Sequence, residues 1–102
     1  MPEIAVEIVQ FKLAEGKNEK DMLAVSDAMM EGLSSLDGFL DRELLKNADG
    51  VWMDFLHWES METALKATED IMSLPLCLEY FSFIDQDNMQ MTHYTLSQRY
   101  EV

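Results

Sequence analysis

The segment Asp54–Ser60, with the sequence DFLHWES, combines a histidine and a tryptophan with the end of an apolar strand and the start of a helix. An imidazole can accept or donate a proton near neutral pH, and an indole can stack on a flat ring. Functional side chains are often held where a rigid strand meets the next element. We therefore expect a functional site at this junction, although Trp58 would also serve as an ordinary core aromatic.

The second histidine, His93, lies in a run in which Met89, Met91 and His93 alternate on one face. Methionine is an adaptable side chain that suits a cavity for a flat apolar guest. His93 could take a proton from a phenol or an activated carbon, and we predict it as the catalytic base. The alternative is a half-buried histidine that is hydrogen-bonded to the backbone or to a carboxylate.

His57 adjoins Trp58 but should face the other side of the strand, because side chains alternate. We expect it to have a structural role, at a dimer interface or paired with Glu59 or Asp54. A metal site shared by His57, His93 and Asp54 is disfavoured, since the predicted strand order puts the two histidines roughly 10 Å apart, at opposite ends of the sheet. No metal site is predicted.

Composition restricts the class of protein. With 102 residues the chain should form one domain, spanning 1–102, and its formal charge of -13 argues against nucleic acid or acidic membranes as partners. Cys77 is the only cysteine, which excludes an intrachain disulfide and favours a cytoplasmic location. There is no Gly-rich phosphate loop and no Gly-x-Ser-x-Gly elbow, so nucleotide and acyl-transfer chemistry lose support.

Hydrophobic patterns predict six main elements. They are a strand over 4–13, a helix from Asn18 to about 37–38, strands over 39–47 and 51–58, a helix capped by Ser60 and restarted at Pro75, and a long strand over 89–100. The order strand, helix, strand, strand, helix, strand is the α+β ferredoxin-like arrangement, βαββαβ, with one antiparallel four-stranded sheet.

The strands over 4–13 and 51–58 are apolar on both faces, but the predicted helices cover only one face of the sheet. The uncovered face would be too apolar for a soluble monomer. We therefore predict a homodimer that packs sheet against sheet, with the long last strand reaching the neighbour's edge to close a shared barrel.

With this element order and the run Phe55–Ser60 before a helix, the chain resembles the antibiotic biosynthesis monooxygenase-like family of dimeric α+β barrels. The segments 84–85 and 89–93 also look like the final loop and strand of that family. Trp58 matches the tryptophan that lines the pocket in its oxygenases and haem-degrading members. The haem-degrading members carry an asparagine in the first strand and a histidine on the second helix. This sequence has neither, which disfavours haem.

The resemblance implies a cofactor-independent monooxygenase acting on a small aromatic or quinone-like molecule. In this interpretation no cofactor is needed, Trp58, Tyr80, Met89 and Met91 hold the ring, and His93 is the base. The alternative is a dimer of the same fold that binds a small apolar or aromatic molecule, or another partner, without catalysis.

Overall fold

The computed structural model describes residues 3–102, which form one antiparallel four-stranded sheet with helices packed on one face. The strand order is β2-β3-β1-β4, so the ferredoxin-like arrangement is confirmed. The elements are β1 (Ala5–Phe11), α1 (Glu19–Ala28), α2 (Met30–Leu33), β2 (Phe39–Lys46), β3 (Trp52–Trp58), α3 (Met61–Asp70), a 3-10 turn (Ile71–Ser73), α4 (Pro75–Phe81), a second 3-10 turn (Gln86–Asn88) and β4 (Gln90–Thr95).

The helix ends follow their capping residues. The side chain of Asn18 accepts a hydrogen bond from the backbone of Asp21 and starts α1. Ser60 and Thr63 form a reciprocal capping box at the start of α3. Pro75 occupies the first turn of α4, where its missing N–H is not needed. The helix predicted to run unbroken to 37–38 is instead interrupted at Met29, which separates α1 from α2.

Alternation along the strands produces two different sheet faces. On the face toward the helices, Phe11 stacks on Trp52 with ring centroids 6.4 Å apart, and Phe39 meets Trp58 edge-on at 5.5 Å. The other face carries a second set of side chains, which the helices do not cover. We call this set the outer face; it includes Val6, Ile8, Leu45, Met53, Phe55 and Tyr94.

The last strand is shorter than predicted, Gln90–Thr95 rather than 89–100. Its partner β1 begins at Ala5, which pairs with Thr95, and the ladder closes with a bond from the Leu96 N–H to the Ile4 carbonyl. Beyond that point the described chain offers no strand to pair with. The side chain of Tyr100 is correspondingly 80% exposed.

Candidate active site

A cavity of about 390 Å³ lies between the helix-facing side of the sheet and the helices. Its wall is mainly aliphatic and methionine-rich, with Arg42, Asp54 and Glu7 as the charged exceptions. Four of the five side chains predicted for the site contribute to the wall. The lining includes Trp58, Tyr80, Met89, Met91, Leu56, Ile71, Met72, Leu78 and Ile84.

Trp58 is held at the end of β3 by contacts on several sides. It is 1% exposed, and its indole Nε1–H donates to Oε1 of Glu7 at 3.1 Å. Between Trp58 and the start of α3, the Glu59 N–H donates to the Gly38 carbonyl at 2.7 Å. The tryptophan therefore has both a fixed ring and a polar partner, as a wall of a binding site requires.

Glu7 is a carboxyl group buried in the middle of β1, and it is not among the site residues predicted from the sequence. It is 6% exposed and lies opposite Leu56 of β3 on one side and His93 of β4 on the other. Burial raises the pKa of Glu7 to about 7, the charge of Asp54 acts in the same direction, and the hydrogen bond from Trp58 acts against it. A proton-exchanging group near neutral pH thus borders the cavity.

The signal for Glu7 is present in the sequence. An acidic residue follows Val6 in the middle of an otherwise apolar strand, and alternation places it on the core face with Val9 and Phe11. A carboxyl group at such a position is rarely buried without a partner.

His93 faces the same side of the sheet as Met91 and Glu7, as the alternation predicts. Its Nε2 lies 3.7 Å from Oε1 of Glu7 and has no hydrogen-bond partner among the described residues. Burial lowers the pKa of His93, which favours the neutral ring. The lining of the cavity includes Glu7 and Met91 but not His93.

A second polar cluster, formed by Arg42, Asp54 and Tyr80, borders the same cavity. Arg42 binds both carboxylate oxygens of Asp54, with Nε–Oδ1 at 2.6 Å and Nη2–Oδ2 at 3.0 Å. The Tyr80 hydroxyl donates to Asp54 Oδ2 at 2.9 Å, and burial raises the pKa of Tyr80. Because Tyr80 is fixed in this way, its ring rather than its hydroxyl is available to a ligand.

Comparisons with known proteins give a match in structure only. No family model and no curated protein matches the sequence. The structure of SnoaB, a cofactor-independent oxygenase from Streptomyces nogalater, superposes with a TM-score of 0.78 at 13% identity, over 95% of this chain and 96% of that one. A monooxygenase from the gene ActVA-Orf6 of Streptomyces coelicolor, in complex with nanaomycin D, gives 0.71 at 16% identity, over 98% and 93%.

A protein from Nitrosomonas europaea assigned to the antibiotic biosynthesis monooxygenases gives a TM-score of 0.69 at 13% identity, over 93% of this chain and 91% of that one. The fold is that of the antibiotic biosynthesis monooxygenases. The resemblance inferred from the sequence is therefore confirmed at the level of the fold.

His57 lies on the outer face, away from the cavity, as predicted. Its Nδ1 is 2.6 Å from Oδ1 of Asp41, so the pairing predicted with Glu59 or Asp54 is wrong. Asp54 faces the helices instead, and β2 supplies the acidic neighbour on the outer face.

The prediction that the two histidines lie at opposite ends of the sheet is also wrong. His57 pairs with Val6 and His93 with the next residue, Glu7, so they lie at nearly one level on opposite faces. Over residues 3–102, no three His, Cys, Asp or Glu side chains come together as a metal-ligand set. Within the same range, no helix is long and apolar enough to cross a membrane.

Proposed function

We propose that this protein is a cofactor-independent monooxygenase that oxidises a small aromatic or quinone-like molecule in the cavity beside Trp58. One observation carries the proposal: Trp58 and Glu7 border one apolar cavity, and Nε2 of His93 lies 3.7 Å from the Glu7 carboxyl group. The fold shared with SnoaB and with the ActVA-Orf6 monooxygenase supports it.

The cavity suits a compact planar guest. Its volume of about 390 Å³ falls at the lower end of the range for small-molecule sites. Trp58 and Tyr80 offer ring surfaces, while Met89 and Met91 offer adaptable side chains that fill space around a ring. These four residues are the proposed substrate-binding set.

The proposed reaction begins with removal of a proton from the substrate, and His93 is the proposed base on which that proton ends. The resulting substrate anion gives an electron to molecular oxygen, and the two radicals combine at a ring carbon. For a ring CH₂ group, one oxygen atom becomes the new carbonyl oxygen, and the other leaves as water with both hydrogens. Molecular oxygen is the only oxidant in this scheme, so no cofactor is required.

We propose that the functional unit is a cytoplasmic homodimer that buries the outer face. That face carries the apolar side chains of Ile8, Met53 and Phe55, and Tyr94 is 53% exposed on it. Covering such a face is the usual role of a second copy. A partner copy would also offer an edge to the residues after Leu96, which lie beyond the ladder between β1 and β4.

A dimer that binds the same class of molecule without turnover is the second candidate. The apolar cavity alone favours it, because a binding site needs no proton acceptor. The two candidates differ in whether oxygen is consumed.

The test is oxygen consumption with a panel of hydroquinones, naphthols and anthrones, run beside thermal melts with the same compounds. A monooxygenase consumes oxygen with a compound that also raises Tm, whereas a binder shows only the rise in Tm. His93→Ala should lose activity, and His57→Ala, the same change on the other face, should keep it. Full activity in His93→Ala would reject the proposed base.

A further inference from the structure

We propose that Glu7 is the catalytic residue that receives the proton of the substrate's hydroxyl group, and that His93 acts behind it as the next acceptor. The inference rests on the proposed function and adds the group that contacts the reacting oxygen. It also defines the ligand class as neutral aromatic molecules with a weakly acidic hydroxyl group, such as phenols and enols.

Position is the first argument. Glu7 contributes to the cavity wall, whereas His93 does not, and Nε2 of His93 lies 3.7 Å from the carboxyl group. A proton acceptor must come within hydrogen-bond reach of the group it deprotonates. Between the two ionisable side chains, Glu7 satisfies this condition directly.

Preorganisation is the second argument. The indole of Trp58 donates to Glu7 Oε1 and fixes the carboxyl group against the end of β3. The nearby Nε2 of His93 is buried and unpartnered among residues 3–102, so it has an open position for a proton. An acid and a base 3.7 Å apart can exchange a proton after a small side-chain movement.

The electrostatic surroundings suit proton acceptance near neutral pH. Burial and Asp54 raise the pKa of Glu7 to about 7, so its carboxylate is a stronger base than one in water. The other groups that face the cavity are Arg42 and Tyr80, both bound to Asp54, and Cys77 on α4, whose thiol has a pKa raised by burial. None of these leaves a free cation beside Glu7.

The step conserves charge. The O–H bond of the ligand breaks, its electron pair stays on the ligand oxygen, and the proton binds the carboxylate of Glu7. Transfer of that proton to Nε2 of His93 then restores the carboxylate and leaves an imidazolium beside it. After both transfers the ligand is an anion, Glu7 is again a carboxylate and His93 carries the positive charge. The ligand anion is the electron-rich form that reacts with oxygen.

The same charges select the ligand. The guanidinium of Arg42 is bound by both oxygens of Asp54, which leaves it little capacity for a second anion. A ligand carboxylate would therefore meet Glu7 without a counter-ion, an arrangement that costs binding energy. A neutral hydroxyl group can donate to the carboxylate instead.

The first experiment follows the two indole N–H resonances of the wild-type protein by NMR as pH changes. The Trp58 resonance should titrate with a midpoint near pH 7, because it bonds to Glu7, and that of Trp52 should stay flat. This measurement needs no variant except Trp52→Phe for assignment. A flat Trp58 resonance between about pH 5 and pH 9 would overturn the proposal.

The second experiment compares the binding of 2-naphthol and 2-naphthoate by calorimetry at about pH 8. Wild-type protein should prefer the naphthol by at least about tenfold, and Glu7→Gln should remove most of that preference. Glu43→Gln makes the same chemical change on the outer face of β2 and should leave it intact. Equal preference in the two variants would contradict the role of Glu7.

These measurements separate the inference from the proposed function, since neither requires turnover. Glu7-dependent binding without oxygen consumption would reject the monooxygenase and keep Glu7 as the proton acceptor. If an oxidised substrate is found, Glu7→Gln should lower kcat about 100-fold or more, the usual scale for losing a general base. Full activity in Glu7→Gln would reject the inference alone.

Discussion

Nε2 of His93 lies 3.7 Å from Oε1 of Glu7, across the paired strands β1 and β4 and on the same side of the sheet as Trp58. Glu7 is buried and His93 is half-buried, and their pKa shifts run in opposite directions: burial raises the pKa of Glu7 and lowers that of His93. In each case burial favours the uncharged form. The pair suits proton transfer, and it also makes the free energy of unfolding depend on pH.

The change Glu7→Gln should make the protein more stable above neutral pH. The pKa of Glu7 rises from 4.5 to about 7 on folding, so its contribution to the free energy of unfolding is present below pH 4.5 and is lost as pH rises through about 7. Glutamine keeps the acceptor for Trp58 and avoids this loss. Above about pH 8 the gain should be up to about 3 kcal/mol in urea unfolding.

The control for that measurement is Glu43→Gln, which removes the same charge on the exposed side of β2. His93 titrates in the wild type and in the Glu7→Gln variant. Because its pKa is lowered on folding, His93 contributes to the free energy of unfolding at high pH, and this contribution is lost as the pH falls through that pKa. The difference between the variant and the wild type therefore reports the loss of the Glu7 carboxyl group together with its effect on His93. A Glu7→Gln protein whose stability follows the wild-type pH curve would contradict the prediction.

Replacing Asp54 by Asn should strongly destabilise the fold. The change leaves the guanidinium of Arg42, whose side chain is 6% exposed, without its counter-charge, which typically costs about 3 to 5 kcal/mol. The matched control is Glu19→Gln, which breaks the exposed pair with Lys46 and should cost less than about 1 kcal/mol. Denaturant unfolding checks both, and similar losses in the two variants would show that burial does not matter here.

Gly38→Ala should destabilise the junction that carries Trp58. Gly38 has φ +81, and an added Cβ would overlap the side chain of Thr63 in the capping box of α3. Gly50 has φ +79 but open space around it. Gly50→Ala therefore measures the destabilisation caused by backbone strain alone, about 1 to 2 kcal/mol. Thermal melts should place Gly38→Ala clearly lower. A Tm equal to that of Gly50→Ala would mean that Thr63 moves aside freely.

The element order and the core face could be predicted because they follow from local patterns. Asn18, Ser60 and Pro75 mark helix ends through their own hydrogen bonding, and the alternation in β1 and β3 assigns the faces. Alternation also predicts Met91 at the cavity, whereas the prediction for Trp58 follows from the strand-to-helix junction and the family resemblance.

Features that depend on register or on charge pairing between distant strands could not be predicted. Which residue of β1 lies opposite His57 or His93 is set by the ladder, so the two histidines were assigned to opposite ends. The bond between Arg42 and Asp54 joins two strands whose relative offset the sequence does not state. Glu7 differs from these cases, because the alternation along β1 already gives its face of the sheet. Its contacts with Trp58 and His93 involve two other strands, and the sequence of β1 does not show them.

The outer face should be the interface of the proposed dimer. Ile8→Glu puts a charge in the middle of this apolar face and should convert the proposed dimer into monomers, because burying an unpaired carboxylate is costly. Leu65→Glu makes the same kind of change on α3, where the side chain is 51% exposed, and should leave the dimer intact. Sedimentation at micromolar concentration measures both.

Since each copy carries a formal charge of -13, added salt should strengthen the wild-type dimer by screening repulsion. A wild-type monomer at all salt concentrations would contradict the assembly and leave the cavity chemistry to a single chain.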